Sequence, residues 1–124
     1  MKKALPTFLR AIAVLTVVSG LVQIVAPAPI LSFLHGEVSP TSAHFFRIIG
    51  MFMALFGGLL LQALRSGLGS RLAVNWCGYQ KLGAFAAVSW AVAAKLMVPL
   101  ALGVAGFDLL SGIAILAYAH SLGS

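Results

Sequence analysis

Apolar residues run through this chain in four stretches, each long enough to cross a membrane, and most polar residues collect in the connections between them. A helix rises ~1.5 Å per residue and therefore needs about 20 apolar residues to cross ~30 Å of hydrocarbon. The first stretch covers about residues 6–25 and opens on Pro6, which suits a first helical turn. Pro27 and Pro29 then predict an extended segment, since each disfavours helix in the residue before it. The apolar run Ile30 to Leu34 is too short to span and belongs at the outer interface or against the bundle. The second stretch, about 40–64, has the clearest start signal, with Ser39 as N-cap and Pro40 at the first helical position. Arg65-Ser66-Gly67-Leu68-Gly69-Ser70-Arg71 reads as the following turn. The third stretch covers about 71–97; Trp76 and Tyr79 fit an interfacial aromatic belt there, and Lys81 can snorkel to the same side. Pro99 and Gly103 mark the bend into the fourth, about 101–120. No window alternates as a membrane barrel strand does. The pattern predicts an all-α fold: a four-transmembrane-helix bundle occupying residues 1–124 as one membrane domain.

Composition sharpens this. The chain is 61% hydrophobic and only 8% charged, with a mean hydropathy of +1.08, far too apolar for an ordinary soluble domain. Four spans use up the 124 residues and leave no room for a soluble catalytic domain. Lys2 and Lys3, the run Ala11 to Val25, and Ala26-Pro27-Ala28 imitate a signal peptide. The long apolar core, and the Pro29 that cleavage would leave at the new terminus, argue for a retained first helix.

Charge sets the orientation. With the N-terminus inside, Lys2, Lys3, Arg10, Arg65, Arg71 and Lys81 lie on or near the cytoplasmic face with no acid among them. Arg47 and Lys95 balance Glu37 and Asp108 in the outer half. The positive-inside rule therefore predicts both termini in the cytoplasm. The same dispersal argues against nucleic acid, because the basic residues form no stripe despite a pI near 10.3. A single Cys77 excludes an internal disulfide.

Small residues mark the faces expected to pack. Gly50, Ala54 and Gly58 repeat every four residues on the second helix, and Gly83, Ala87 and Ala91 do so on the third. The first helix aligns Thr16, Ser19, Gly20 and Gln23, and the fourth groups Asp108, Ser111 and Gly112. Gln23, Arg47, Lys95 and Asp108 all fall in the outer half of the bilayer, and His44 shares a face with Arg47 one turn away. A carboxylate at that depth must face the bundle and find a cation. Arg47, with its bidentate fork, is the expected partner of Asp108, and Lys95 takes second place. Two readings of this group stand. It is a structural tie between the second and fourth helices, or it is a ligand or proton site. In the second case the spare positive charge suits an anionic head group, a quinone carbonyl or a lipid phosphate.

Other chemistry finds little support. His35 and His44, with Glu37 between them, do not have metal-ligand spacing, and no haem attachment motif occurs, so no metal is expected. Ser111 lacks a nucleophile elbow, and Gly67-Leu68-Gly69 lacks the trailing lysine of a phosphate loop. His44 with Asp108 is the one pair that could serve as general acid and base. No catalytic residue is assigned.

The layout, the glycine-rich second helix from Arg47 through Gly58 (RIIGMFMALFGG), and Phe107-Asp108-Leu109-Leu110-Ser111-Gly112 in the last helix together resemble the small bacterial four-helix membrane proteins grouped as DoxX-like. That group includes small subunits of quinone-linked sulfur-oxidising complexes. The resemblance implies an accessory subunit of a bacterial inner (cytoplasmic) membrane, with a quinone-linked complex as its setting, and supplies no site of its own. The expected function is therefore a non-catalytic integral membrane subunit, partnered by lipid and by other membrane subunits or further copies of itself. The alternatives are a small oligomeric transporter or channel, with Arg47, Lys95 and Asp108 lining an outer vestibule, and a membrane enzyme acting on a lipid or quinone.

Overall fold

The computed structural model describes residues 4–34, 36–66 and 70–122, with Ser66 and Ser70 described as backbone only. Lys2, Lys3, His35 and the turn residues Gly67, Leu68 and Gly69 lie outside the described residues. The helices in chain order are α1 (Ala4–Val25), α2 (Pro27–Phe33), α3 (Pro40–Ser66), α4 (Ser70–Ala93) and α5 (Ala101–Ser121). Three of them, over Ala4–Val25, Pro40–Arg65 and Ala101–Ser121, are long and apolar enough to cross a membrane, with mean hydropathies of 2.1, 1.8 and 1.8. The chain is thus an all-α helical bundle of integral-membrane character. α4 is as long as the others at 24 residues but carries Arg71, Asn75, Gln80 and Lys81, and it does not join that apolar set.

Local chemistry explains where the helices begin and end. Ser39 caps α3: its Oγ accepts from the Ser42 backbone N–H at 3.0 Å, while the Ser42 Oγ accepts from the Ser39 N–H at 2.8 Å. This is a reciprocal capping box with serine in the place usually held by glutamate. The segment after α1 corrects the expectation of an extended chain, because Pro27–Phe33 is helical. Both prolines fall in its first turn, where a backbone N–H has no intrahelical acceptor and its loss costs nothing. Only Ala26, ahead of the first proline, takes an extended φ of −135°.

α4 ends at Ala93, short of the expected Met97, through a cap that hydropathy does not reveal. The Leu96 N–H reaches the Ala91 carbonyl at 2.8 Å and the Lys95 N–H reaches Val92 at 3.0 Å. These are the two bonds of a Schellman motif, and they place Lys95 at the left-handed position with φ 63°. Glycine is the usual occupant there, because a Cβ strains that conformation. The following segment donates from the Val98 N–H to the Leu34 carbonyl at 3.3 Å, which sets the α4–α5 connection beside the end of α2.

The helices associate as two antiparallel pairs, α1 with α3 and α4 with α5, joined by lighter α3–α4 and α1–α5 contacts; α2 lies against α1 and α3. The α1–α3 seam is backbone against backbone. A Cβ at Gly50 would meet the Gly20 carbonyl oxygen at 2.7 Å, and one at Gly57 would meet the Ala13 carbonyl oxygen at 2.9 Å. In α4–α5, a Cβ at Gly112 would lie 2.8 Å from the Leu82 side chain and 3.2 Å from the Gly78 carbonyl oxygen.

Two expected packing ridges are therefore corrected. Gly50 and Ala54 do meet Gly20, but nothing lies within 4 Å of a Cβ built at Gly58, and Gly57 makes the contact instead. Stepping by four residues overshoots a full turn by about 40°, so a ridge of strict fours rotates off the seam. On α4 the ridge Gly83, Ala87 and Ala91 is not the packed face. Gly83 likewise has nothing within 4 Å, and Ala87 is exposed. Beside it an open groove of about 590 Å³ is lined by Ala86, Ser89, Trp90, Ala93 and Ala94. The buried stripe of α4 is Val74, Cys77, Gly78 and Lys81, the i, i+3, i+4, i+7 positions of one helix face.

The main buried apolar cluster sits at one end of the bundle. It joins Leu9, Ile12 and Ala13 of α1 to Leu60, Ala63 and Leu64 of α3, Val74 and Cys77 of α4, and Ile115 and Ala119 of α5. This is the end that holds the N-terminal half of α1 and the C-terminal half of α5.

Two substitutions test this packing in thermal or denaturant unfolding of the detergent-solubilised protein. Gly50→Val forces α1 and α3 apart and is expected to destabilise by about 2–3 kcal/mol. Lys95→Gly relieves the left-handed backbone and is expected to stabilise by about 1 kcal/mol.

Candidate functional site

The chemistry of the molecule concentrates at the upper boundary of the apolar cluster, near mid-length of the helices. Lys81 stands at the midpoint of α4, one turn beyond Cys77, and is only 5% exposed. Its Nζ lies 3.4 Å from Oδ1 of Asp108 on α5, itself 8% exposed. The same Nζ donates to Oγ1 of Thr16 on α1 at 2.7 Å, and that hydroxyl donates to the Ile12 carbonyl at 2.8 Å. Hydrogen bonds thus run in one direction from the ammonium through the threonine hydroxyl to a backbone carbonyl, which uses the hydroxyl as both acceptor and donor. The Phe107 ring completes the surroundings, its centroid 5.5 Å from Nζ, within the range of a cation–π contact.

This arrangement meets the electrostatic demand of its place. Moving an ammonium or a carboxylate out of water costs several kcal/mol per ion, recovered only where the charges pair and their remaining hydrogen-bonding capacity is used. No fully buried side-chain nitrogen or oxygen among the described residues lacks a partner. Ser111, 1% exposed, lies one turn from Asp108 on the same face and extends the polar layer along α5. The close approach at Gly78 and Gly112 brings the two charges together, since Lys81 follows Gly78 by three residues and Asp108 precedes Gly112 by four on an antiparallel helix.

The structure corrects the expected partner of Asp108. It is Lys81 and not Arg47. Arg47 instead turns across the α1–α3 seam, where Nε donates to the Ile24 carbonyl at 3.2 Å. Gln23 makes the reciprocal crossing, Nε2 donating to the Phe46 carbonyl at 2.9 Å. Together they tie the C-terminal end of α1 to α3 beside the Gly20–Gly50 contact. Lys95 is exposed at the end of α4 and His44 is exposed on α3; neither is joined to Asp108 by an ion pair or hydrogen bond. The outer polar group expected from the sequence is therefore divided among the α1–α3 seam, the surface and the mid-bundle pair. Lys81, expected to snorkel to the surface, is the residue that reasoning from the sequence misplaced. The signal for it was present, because Lys81 continues the Val74, Cys77, Gly78 stripe at helical spacing.

Trp76 and Tyr79 are exposed on α4 and meet edge to face, with ring centroids 5.5 Å apart. Cys77 points inward and its Sγ lies 3.6 Å from the Phe56 carbonyl, a link between α4 and α3. Among the described residues no three His, Cys, Asp or Glu side chains gather as a metal site.

No protein-family model, curated protein or solved structure matches the chain.

A double-mutant cycle measures what the buried pair does. Lys81→Met alone and Asp108→Leu alone are each expected to destabilise by about 3–5 kcal/mol, because each strands an uncompensated charge. The double variant is expected to recover most of that loss when unfolding is followed in the same detergent. Losses that simply add would show that the two side chains are not coupled.

Proposed function

We propose that the chain is a non-catalytic integral membrane subunit that crosses the bilayer with four helices, α1, α3, α4 and α5, and has both termini in the cytoplasm. The observation that carries the reading is that the buried charges are spent on each other. Lys81 holds Asp108 and Thr16, and so fastens α4 and α5 to α1 in place of presenting a reactive group. What remains outside is apolar side chain on every long helix, including Leu15 and Val18 of α1, Phe52 and Leu55 of α3, Trp90 of α4 and Leu110 of α5. A protein of that kind works by packing against lipid and other membrane proteins.

A fourth span through α4 is supported by its 24-residue length, which at ~1.5 Å per residue exceeds the hydrocarbon thickness. It is supported further by the Val98–Leu34 bond, which returns the α4–α5 connection to the end where α1 leaves off. Pairing with Asp108 removes the objection that a lysine lies at its midpoint. The orientation rests on Arg10, Arg65 and Arg71 at one end, against Arg47, Lys95 and Glu37 at the other. With Lys81 and Asp108 withdrawn from that tally as a pair, the asymmetry persists. The resemblance to DoxX-like proteins adds a bacterial inner membrane and a quinone-linked redox complex as the setting.

The intramembrane ion pair favours one alternative, a small homo-oligomeric transporter in which Lys81 and Asp108 handle protons or ions. Native mass spectrometry on tagged protein, gently solubilised from its own membranes, separates the two. Co-purifying membrane subunits, or a bound quinone mass, are expected. A bare homo-oligomer whose ion flux in vesicles disappears in a folded Asp108→Asn variant would replace the subunit reading with transport.

A further inference from the structure

Three guanidinium groups with no partner among the described residues ring one end of the bundle. Arg10 of α1 adjoins Leu9, Arg65 of α3 adjoins Leu64, and Arg71 of α4 lies one turn before Val74; Leu9, Leu64 and Val74 all belong to the same buried cluster. The cluster therefore brings the three cations, from three different helices, to the rim of one layer. Arg10 and Arg65 are exposed and Arg71 is half-buried. None of the three has a hydrogen bond or ion pair among the described residues, whose one salt bridge is Lys81–Asp108. Neither acid of the chain can serve them. Glu37 lies between α2 and α3 at the opposite end, and Asp108 is held by Lys81.

The neighbours of these cations are greasy. Val14, one turn from Arg10 on the same face, is 48% exposed, and Leu72, next to Arg71, is 68% exposed. A ligand that satisfies this rim must bring negative charge to the guanidinium groups and hydrocarbon to the apolar side chains beside them. A free phosphate supplies only the first. An anionic phospholipid supplies both, with its phosphate accepting from the arginine forks and its acyl chains lying along the helices.

We infer that this end of the bundle is a binding surface for anionic phospholipid of the phosphatidylglycerol class, held by Arg10, Arg65 and Arg71. The inference requires membrane placement and no partner subunit, so it stands or falls separately from the proposed role. Its physical basis is the attraction of clustered arginines to an anionic leaflet, which acts over about a Debye length and weakens with salt.

The test uses the purified full-length protein, delipidated in neutral detergent and offered equal amounts of phosphatidylglycerol and phosphatidylcholine, with retained lipid counted by native mass spectrometry. Wild type is expected to keep phosphatidylglycerol over phosphatidylcholine by about tenfold or more, and each Arg→Gln change at positions 10, 65 and 71 is expected to reduce that ratio by up to about fivefold. Lys95→Gln, which removes a cation from the other end, is expected to leave the ratio unchanged. Should the triple variant fail to fold, wild type at 0.5 M salt provides the same reading, since the preference must then collapse. A ratio near one in wild type overturns the assignment. So does a preference that survives all three substitutions, or one abolished by millimolar inorganic phosphate, which would mark a free-anion site.

Discussion

A lysine at the midpoint of a membrane-length helix is the constraint around which this bundle is built. Buried away from water and alone, its ammonium would cost several kcal/mol, and it can be kept there only by an anion brought close from another helix. Asp108 supplies the charge and Thr16 a further hydrogen bond, so three helices are committed to one point. Bringing α4 near enough to α5 requires small residues beside the charges. Gly78 and Gly112 stand there, one on each helix, within a turn or so of Lys81 and Asp108.

The two helix pairs are held by different physics. α1 and α3 approach backbone to backbone through Gly20, Gly50 and Gly57, and are secured further along by Gln23 and Arg47 donating to backbone carbonyls across the seam. Between apolar helices in lipid no hydrophobic drive operates, so contact area and such cross-seam hydrogen bonds carry the association. α4 and α5 add Coulombic attraction in a low-dielectric setting to their glycine contact. The apolar cluster at one end joins the pairs, and the Lys81–Thr16 bond marks its upper boundary.

Terminal chemistry is where sequence and structure agree most closely in detail. Ser39 and Pro40 begin α3, and Pro99 precedes α5, because capping and proline effects act within a turn and need nothing from the rest of the chain. Where a local rule admits two outcomes the agreement ends. Pro27 and Pro29 disfavour helix before themselves and are also tolerated in a first turn, and the short helix α2 takes the second course. Lys95 ends α4 in a conformation that residue type argues against, held by two bonds to carbonyls of the helix it terminates.

Membrane character, the apolar runs of α1, α3 and α5, and the uneven charge of the two ends follow from the chain alone, because run length and charge are properties of consecutive residues. The partner of Asp108 does not. Depth and charge point to Arg47 or Lys95 and count Lys81 with the cations of the opposite face; the pairing that forms depends on the rotation of α4 about its axis and on how closely it meets α5. Those are settled by contacts between residues far apart in sequence, Gly78 with Leu116, Gly112 with Leu82, and Lys81 with Thr16. A rotation of about 130–150° about the axis is what separates the outward Gly83–Ala87 ridge from the inward Val74–Cys77–Lys81 stripe. Hydropathy measured along the chain does not register such a rotation; only the packed tertiary structure decides it.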